Sequence, residues 1–243
     1  MHRPERAPDW LTARPIAHRG LHGNGIAENS LAAAEQAIGR AYAIECDVQS
    51  TRDGEAVVFH DVGLDRVTFA EGNIGELTAA EAMRLCFRDG PGTIARLSDF
   101  LAAIGGRVPV FVEVKSRFDG DERLAARIAR LAYCGPMAIM SFDPGVLAQC
   151  RALGLACPLG LVAQANNSED KEDKEMPPRP LDLGAASPDF LAWCAPDFPH
   201  PLPQNCDVPL LAWTLRDATS CSRARIWADQ VIFEGFDPDA DCR

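Results

Sequence analysis

PIAHRGLHGNGIAENSLAAAEQAIGRAYAIECDV, residues 15–48, is the stretch on which the fold turns. A short apolar run at 15–17 reads as a strand, an Ala-rich segment at 30–38 as a helix, and a β-rich run at 42–48 as the next strand. Ser30 stands where an N-cap belongs, its hydroxyl able to accept a hydrogen bond from a free amide of the first turn. Strand, helix, strand is the unit of parallel sheets, because two parallel strands need a long crossover between them.

The same rhythm runs outward from this unit. Residues 56–59 form a β-rich segment, joined to the preceding strand by Thr51-Arg52-Asp53-Gly54, whose Asp-Gly step signals a tight turn and hence a hairpin partner. Thr78 and Glu81 have capping-box spacing and open a short helix, and 98–104 reads as another. Strands follow at 108–114, 137–140, 159–162, 190–193, 209–214 and 230–233, with helices at 121–133, 144–153 and 217–228. Residues 166–180, rich in Asp, Glu, Lys and Pro, read as a solvated loop. Eight strands alternating with helices over 243 residues give an α/β chain, and a single (β/α)8 TIM barrel spanning residues 1–243 is the economical architecture. An open doubly wound sheet is the alternative, but no Gly-rich phosphate fingerprint follows the first strand.

A hydrophobic content of 47% and a charged content of 24% are those of an ordinary globular protein, which excludes fibrous and disordered classes. The net charge of -11 repels nucleic acid and anionic lipid, so a phosphate-bearing substrate needs local positive charge or a bound cation to enter. The nine cysteines lack C-x-x-C spacing and read as reduced thiols. No secretory h-region and no bilayer-length apolar run occur, so the expectation is a cytoplasmic protein without stable membrane insertion.

Chemistry-bearing residues gather at strand ends. His18-Arg19-Gly20 follows the first strand, combining a proton carrier, a forked phosphate ligand and a residue that lets the backbone approach a ligand. A solvated or core histidine is the plainer reading of His18 taken alone. Glu45 and Asp47, two apart on a strand, point to the same side, where their charges repel unless a cation lies between them; a water-facing polar strand is the alternative. His60-Asp61 closes the next β-rich segment. Glu113-Val114-Lys115 closes the strand after it, with Lys115 suited either to a phosphate oxygen or to a salt bridge with a neighbouring carboxylate.

The ordered set HRG at 18–20, Glu28-Asn29-Ser30, ECDVQSTRDGEAVVFHD at 45–61, LDRVT at 64–68, VEVK at 112–115, Ser141-Phe142 and AWT at 212–214 resembles the glycerophosphodiester phosphodiesterase family over nearly the whole chain. The resemblance implies a (β/α)8 barrel, a bound divalent cation (Mg²⁺ or Ca²⁺) and hydrolysis of small-molecule glycerophosphodiesters to glycerol 3-phosphate and an alcohol. It also implies that His18 and His60 are the acid/base pair, that Glu45, Asp47 and Glu113 are metal ligands, and that Arg19 and Lys115 contact phosphate. Glu28 and Asn29 then support the site, and Trp213 lines the substrate pocket, with a core tryptophan as the competing view.

The chain departs from the family's usual pattern in three places. Arg216 stands where an Asn is common, Phe233-Glu234-Gly235-Phe236 replaces a T-D-x-P ending, and the segment between Gly63 and Asp99 is short, which predicts an open pocket. Two rivals remain at this stage. One is a lysophospholipase D, favoured by an open site and the apolar Phe236; the other is a non-catalytic barrel that binds metal and phosphate esters.

Overall fold

The computed structural model describes residues 7–165 and 186–241; the expected loop at 166–180 lies outside them. In chain order the strands are β1 (Ile16–Ala17), β2 (Ala43–Ser50), β3 (Ala56–Val58), β4 (Ala95–Arg96), β5 (Val110–Val114), β6 (Met137–Ser141), β7 (Leu159–Ala163), β8 (Phe190–Cys194), β9 (Leu210–Leu215) and β10 (Gln230–Phe233). The helices are α1 (Leu31–Gly39), α2 (Ala79–Ala82), α3 (Leu97–Ile104), α4 (Arg123–Ile128), α5 (Pro144–Ala152), α6 (Pro201–Gln204), α7 (Ala218–Ala224) and α8 (Pro238–Asp241).

Eight strands form a closed ring. Neighbours run β1-β10-β9-β8-β7-β6-β5-β2, all parallel, and β1 pairs back with β2 through Ile16↔Ala43 and Ala17↔Ile44. This is a (β/α)8 barrel. Strands β3 and β4 stand outside the ring as an antiparallel extension of β2. The local signals hold: Ser30 caps α1 by accepting from the Ala33 amide, and Thr78 and Glu81 form a reciprocal capping box on α2. Helices expected over 121–133 and 217–228 are shorter, because after Ile128 and after Ala224 the chain tightens into turns with amides bonding three residues back, Leu131 to Ile128 and Ile226 to Arg223.

Alternation along each strand divides the core into two layers. Ile44, Cys46 and Val48 of β2, and Val110, Val112 and Val114 of β5, face the helices, whereas Ala43 and Phe111 face the barrel interior. Buried apolar surface of this kind contributes roughly 25 cal/mol per Å². The short helix Asp9–Leu11 closes the N-terminal end, with Leu11 buried in the interior layer and the Trp10 ring edge-on to Phe111 at 6.1 Å. Residues 59–94 build a third, smaller core from Phe59, Leu64, Ile74, Ala82, Phe87 and Ile94 beside the opposite rim.

Gly160 on β7 shows how tightly the interior is filled. A Cβ there would stand 2.1 Å from the Phe190 ring, which itself packs edge-on to Phe111 at 6.0 Å. Gly160→Ala forces that ring off its site, and overpacking of this kind costs about 1–3 kcal/mol. The expected result is a lower urea midpoint with an unchanged m-value; an unaltered midpoint would mean that Phe190 repacks freely.

Candidate active site

The parity that buries Phe111 and Ala43 inside the barrel carries Glu113, Glu45 and Asp47 to the same interior side at the strands' C-terminal ends, where β2 and β5 register Asp47 against Glu113. One carboxylate oxygen from each lies within 4.8 Å of the others, so the three could hold a metal ion. All three are buried. Glu45 Oε2 accepts from the Arg19 backbone N–H at 2.8 Å, while its Oε1 is buried with no hydrogen-bond partner among the described residues. Asn29 grips Asp47 twice, donating from Nδ2 to Oδ2 at 2.8 Å and accepting the Asp47 amide at 3.1 Å.

Burial, with the nearby charges of Asp47 and Glu113, pushes the Glu45 carboxyl well above its ordinary pKa. Asp47 goes the other way. Burial alone would raise it too, but Lys115, His60, Arg19 and His18 together hold it well below the usual carboxylate range. Lys115 Nζ lies 2.8 Å from Asp47 Oδ1 and also contacts Glu113, so an ammonium sits where the carboxylates converge. Lys115 further lines a polar cleft of about 240 Å³ with Gln49, Arg52 and Arg117. An unsatisfied buried oxygen within an all-oxygen set that repels itself suits a hard divalent cation.

The two histidines are anchored alike. His18 Nδ1 lies 2.7 Å from Glu234 Oε2, and His60 Nδ1 lies 2.6 Å from Asp61 Oδ1. An ionised carboxylate only accepts, so the ring proton sits on Nδ1 in each case and leaves Nε2 as the free lone pair. Burial lowers the His18 pKa, with the Glu234 hydrogen bond opposing the shift. His60 is carried by the end of the β3 hairpin, outside the ring of barrel strands; the Phe59 amide bonds to the Asp47 carbonyl and Gln49 Nε2 donates to the His60 carbonyl at 2.8 Å.

Arginines tie this rim together. Arg19 places Nη1 3.0 Å from Glu28 and Nε 3.3 Å from Asp47. Arg66, from the small core at 59–94, forks onto both Glu28 and Asp61. Burial would raise the Asp61 pKa, but its bonds to His60 and Arg66 hold it well below the ordinary range. The short segment after Gly63 is therefore a brace for His60 and Glu28.

A family model described as the glycerophosphoryl diester phosphodiesterase family matches residues 18–176, well over half of the chain. The chain belongs to that family. It is similar to a glycerophosphodiester phosphodiesterase of Bacillus altitudinis, 32% identical over 146 residues that cover 55% of this chain and 59% of the relative. It is 45% identical over 71 residues to the glycerophosphodiester phosphodiesterase of Caldanaerobacter subterraneus subsp. tengcongensis, covering 29% of each. The chain thus matches less than two thirds of the length of these curated relatives. Its fold is similar to that of an Oleispira antarctica phosphodiesterase solved in complex with the product sn-glycerol-3-phosphate, with a TM-score of 0.76 at 23% identity, covering 92% of this chain and 94% of that one.

Against the family's usual pattern, the two departures near the C-terminus meet in space: Arg216 Nε donates to Glu234 Oε1 at 2.6 Å, and Glu234 in turn anchors His18. Burial would raise the Glu234 pKa, yet the His18 hydrogen bond, the nearby His22 ring and the Arg216 charge hold it well below the ordinary range. Gly20 is fixed by packing. Its φ of 77° is left-handed, and a Cβ would stand 2.8 Å from Ala33 Cβ, so glycine is required where α1 packs against the loop. Trp213 is buried in the interior layer, edge-on to Phe142 at 5.4 Å with its Nε1 donating to the Ala192 carbonyl. Phe236 is half-buried, its ring edge-on to Phe233 at 5.7 Å. Among the described residues no helix is long and apolar enough to cross a membrane.

Proposed function

We propose that this protein hydrolyses glycerophosphodiesters to glycerol 3-phosphate and an alcohol, with His18 and His60 moving the protons. One observation carries the reading: two histidines, each fixed through Nδ1 to its own carboxylate, both act electrostatically on Asp47 in a buried three-carboxylate cluster at the C-terminal ends of barrel strands. Membership of the family supports the substrate class.

In the first stage one histidine takes the proton of the glycerol 2-hydroxyl through Nε2, that oxygen attacks phosphorus, and the bond from phosphorus to the departing alcohol breaks. The other histidine, in its protonated form, gives that alcohol its proton. In the second stage water opens the cyclic phosphate with the two roles exchanged. Lys115 and Arg19 balance negative charge on phosphorus, while Asn29 and the Arg19 backbone keep Asp47 and Glu45 aimed. Glu45, Asp47 and Glu113 would hold a divalent cation, Mg²⁺ or Ca²⁺, which when bound polarises a phosphoryl oxygen and acidifies the attacking hydroxyl. Trp213 and Phe142 wall the site on the β9 side. The acidic chain, its buried Cys46, Cys150 and Cys221, and the lack of a disulfide among the described residues suit work in the cytoplasm.

Product analysis on glycerophosphocholine and lysophosphatidylcholine, with Mg²⁺ or Ca²⁺ supplied, tests the proposal. Release of glycerol 3-phosphate and choline from the first, with little turnover of the second, is the expected result. Preferred release of choline from lysophosphatidylcholine would make the enzyme a lysophospholipase D, and inertness toward both would leave a binding barrel.

A further inference from the structure

We propose that His18, His22 and Glu234 form a second metal site, selective for a borderline ion such as Zn²⁺, whose occupation switches His18 off. Barrel closure builds it. β1 and β10 pair through Ala17↔Phe233, so the residues that follow them, His18 and Glu234, meet on the rim, and His22 returns to the same carboxylate from the loop after β1.

The distances fit an ion. Glu234 Oε2 lies 2.7 Å from His18 Nδ1 and 3.7 Å from His22 Nε2, and one donor atom from each residue falls within 4.8 Å of the others. Ligand atoms about 2.0–2.2 Å from a tetrahedral ion stand roughly 3.3 Å apart, so small side-chain shifts complete the set. His22 Nε2 is itself buried and beyond hydrogen-bond distance of any partner among the described residues, facing Glu234 Oε2 across the gap. Arg216 Nε donates to Glu234 Oε1, and Oε2 is the oxygen that faces both imidazoles. Two cations oppose entry, Arg216 on Glu234 and Arg19 beside His18. Two imidazoles and a carboxylate with an open fourth position are a zinc donor set, whereas the all-oxygen cluster of Glu45, Asp47 and Glu113 suits harder ions. The rim thus sorts two ions into two sites.

The consequence for catalysis rests on the reading of His18 as a proton carrier. Coordination takes the Nδ1 lone pair, so the one proton of the neutral ring moves to Nε2; no proton or electron is lost. An imidazole with its proton on Nε2 cannot accept the proton of a hydroxyl.

The test titrates Mg²⁺-loaded protein with Zn²⁺, following binding by competition with a zinc-chelating dye and, separately, turnover of glycerophosphocholine. The difference between wild type and His22→Ala isolates this site from the thiols. Expected are one Zn²⁺ that wild type binds and that His22→Ala binds more than about tenfold more weakly, inhibition that follows this occupancy, and near-wild-type turnover of His22→Ala with Mg²⁺ alone. Zn²⁺ binding that His22→Ala leaves unchanged, or none in wild type, overturns the site. Zn²⁺ bound through His22 with turnover undiminished overturns the role of His18 instead, so the two failures are separable.

Discussion

His18→Ala and His60→Ala each lower kcat on glycerophosphocholine by about 10²- to 10⁴-fold, the range expected when one proton carrier is removed. The geometry explains why neither loss is made good by solvent. Each ring is held by a carboxylate on Nδ1, Glu234 for His18 and Asp61 for His60, and each carboxylate is itself held by an arginine, Arg216 or Arg66. Truncation therefore removes a base that is already oriented. Because the two histidines serve the same two-stage cycle, the double variant falls well short of the product of the single losses. Near-wild-type turnover in either single variant, measured on protein with native circular dichroism, would end the paired-histidine reading.

Removal of the divalent cation with EDTA is expected to abolish turnover, and Glu45→Gln to separate what the cation does for catalysis from what it does for stability. Glu45 has a folded-state pKa raised by burial and by Asp47 and Glu113. A carboxyl raised in this way favours the fold below its unfolded pKa, and that contribution is lost as pH rises through the folded value. At neutral pH Glu45 therefore weakens the ion-free protein relative to low pH, and a bound cation, which favours the carboxylate, reverses this. Glu45→Gln is expected to raise the thermal midpoint of the ion-free protein at neutral pH, to flatten its rise as pH is lowered, and to shrink the further rise on adding Mg²⁺ or Ca²⁺. Thermal melts with and without EDTA give the answer; an equal ion-induced rise in the variant would take Glu45 out of the ligand set.

The barrel was legible because its strands obey a period of two and its helices announce their starts. Ser30 and Thr78 both cap as their positions suggest. Glu45 and Asp47 were legible as a pair because two residues apart on one strand means one face. Glu234 was not legible, because its partner His18 is 216 residues away and the two meet only when β10 closes on β1. Arg66 was visible only within LDRVT, with nothing local to show that it would reach Glu28 and Asp61. Helix lengths at α4 and α7 were overread for a related reason: periodicity continues past the point where the chain must turn toward the next strand.

The bond between Arg216 and Glu234 bears on how variants of this protein should be designed. Compared with the family pattern, these look like two independent changes, yet they are one coupled exchange: a lone Arg216→Asn takes the guanidinium from Glu234 Oε1, and a lone change at Glu234 takes that carboxylate from Arg216. A graft toward the commoner pattern has to move both positions in a single step, since either halfway form passes through an imbalance of charge beside His18.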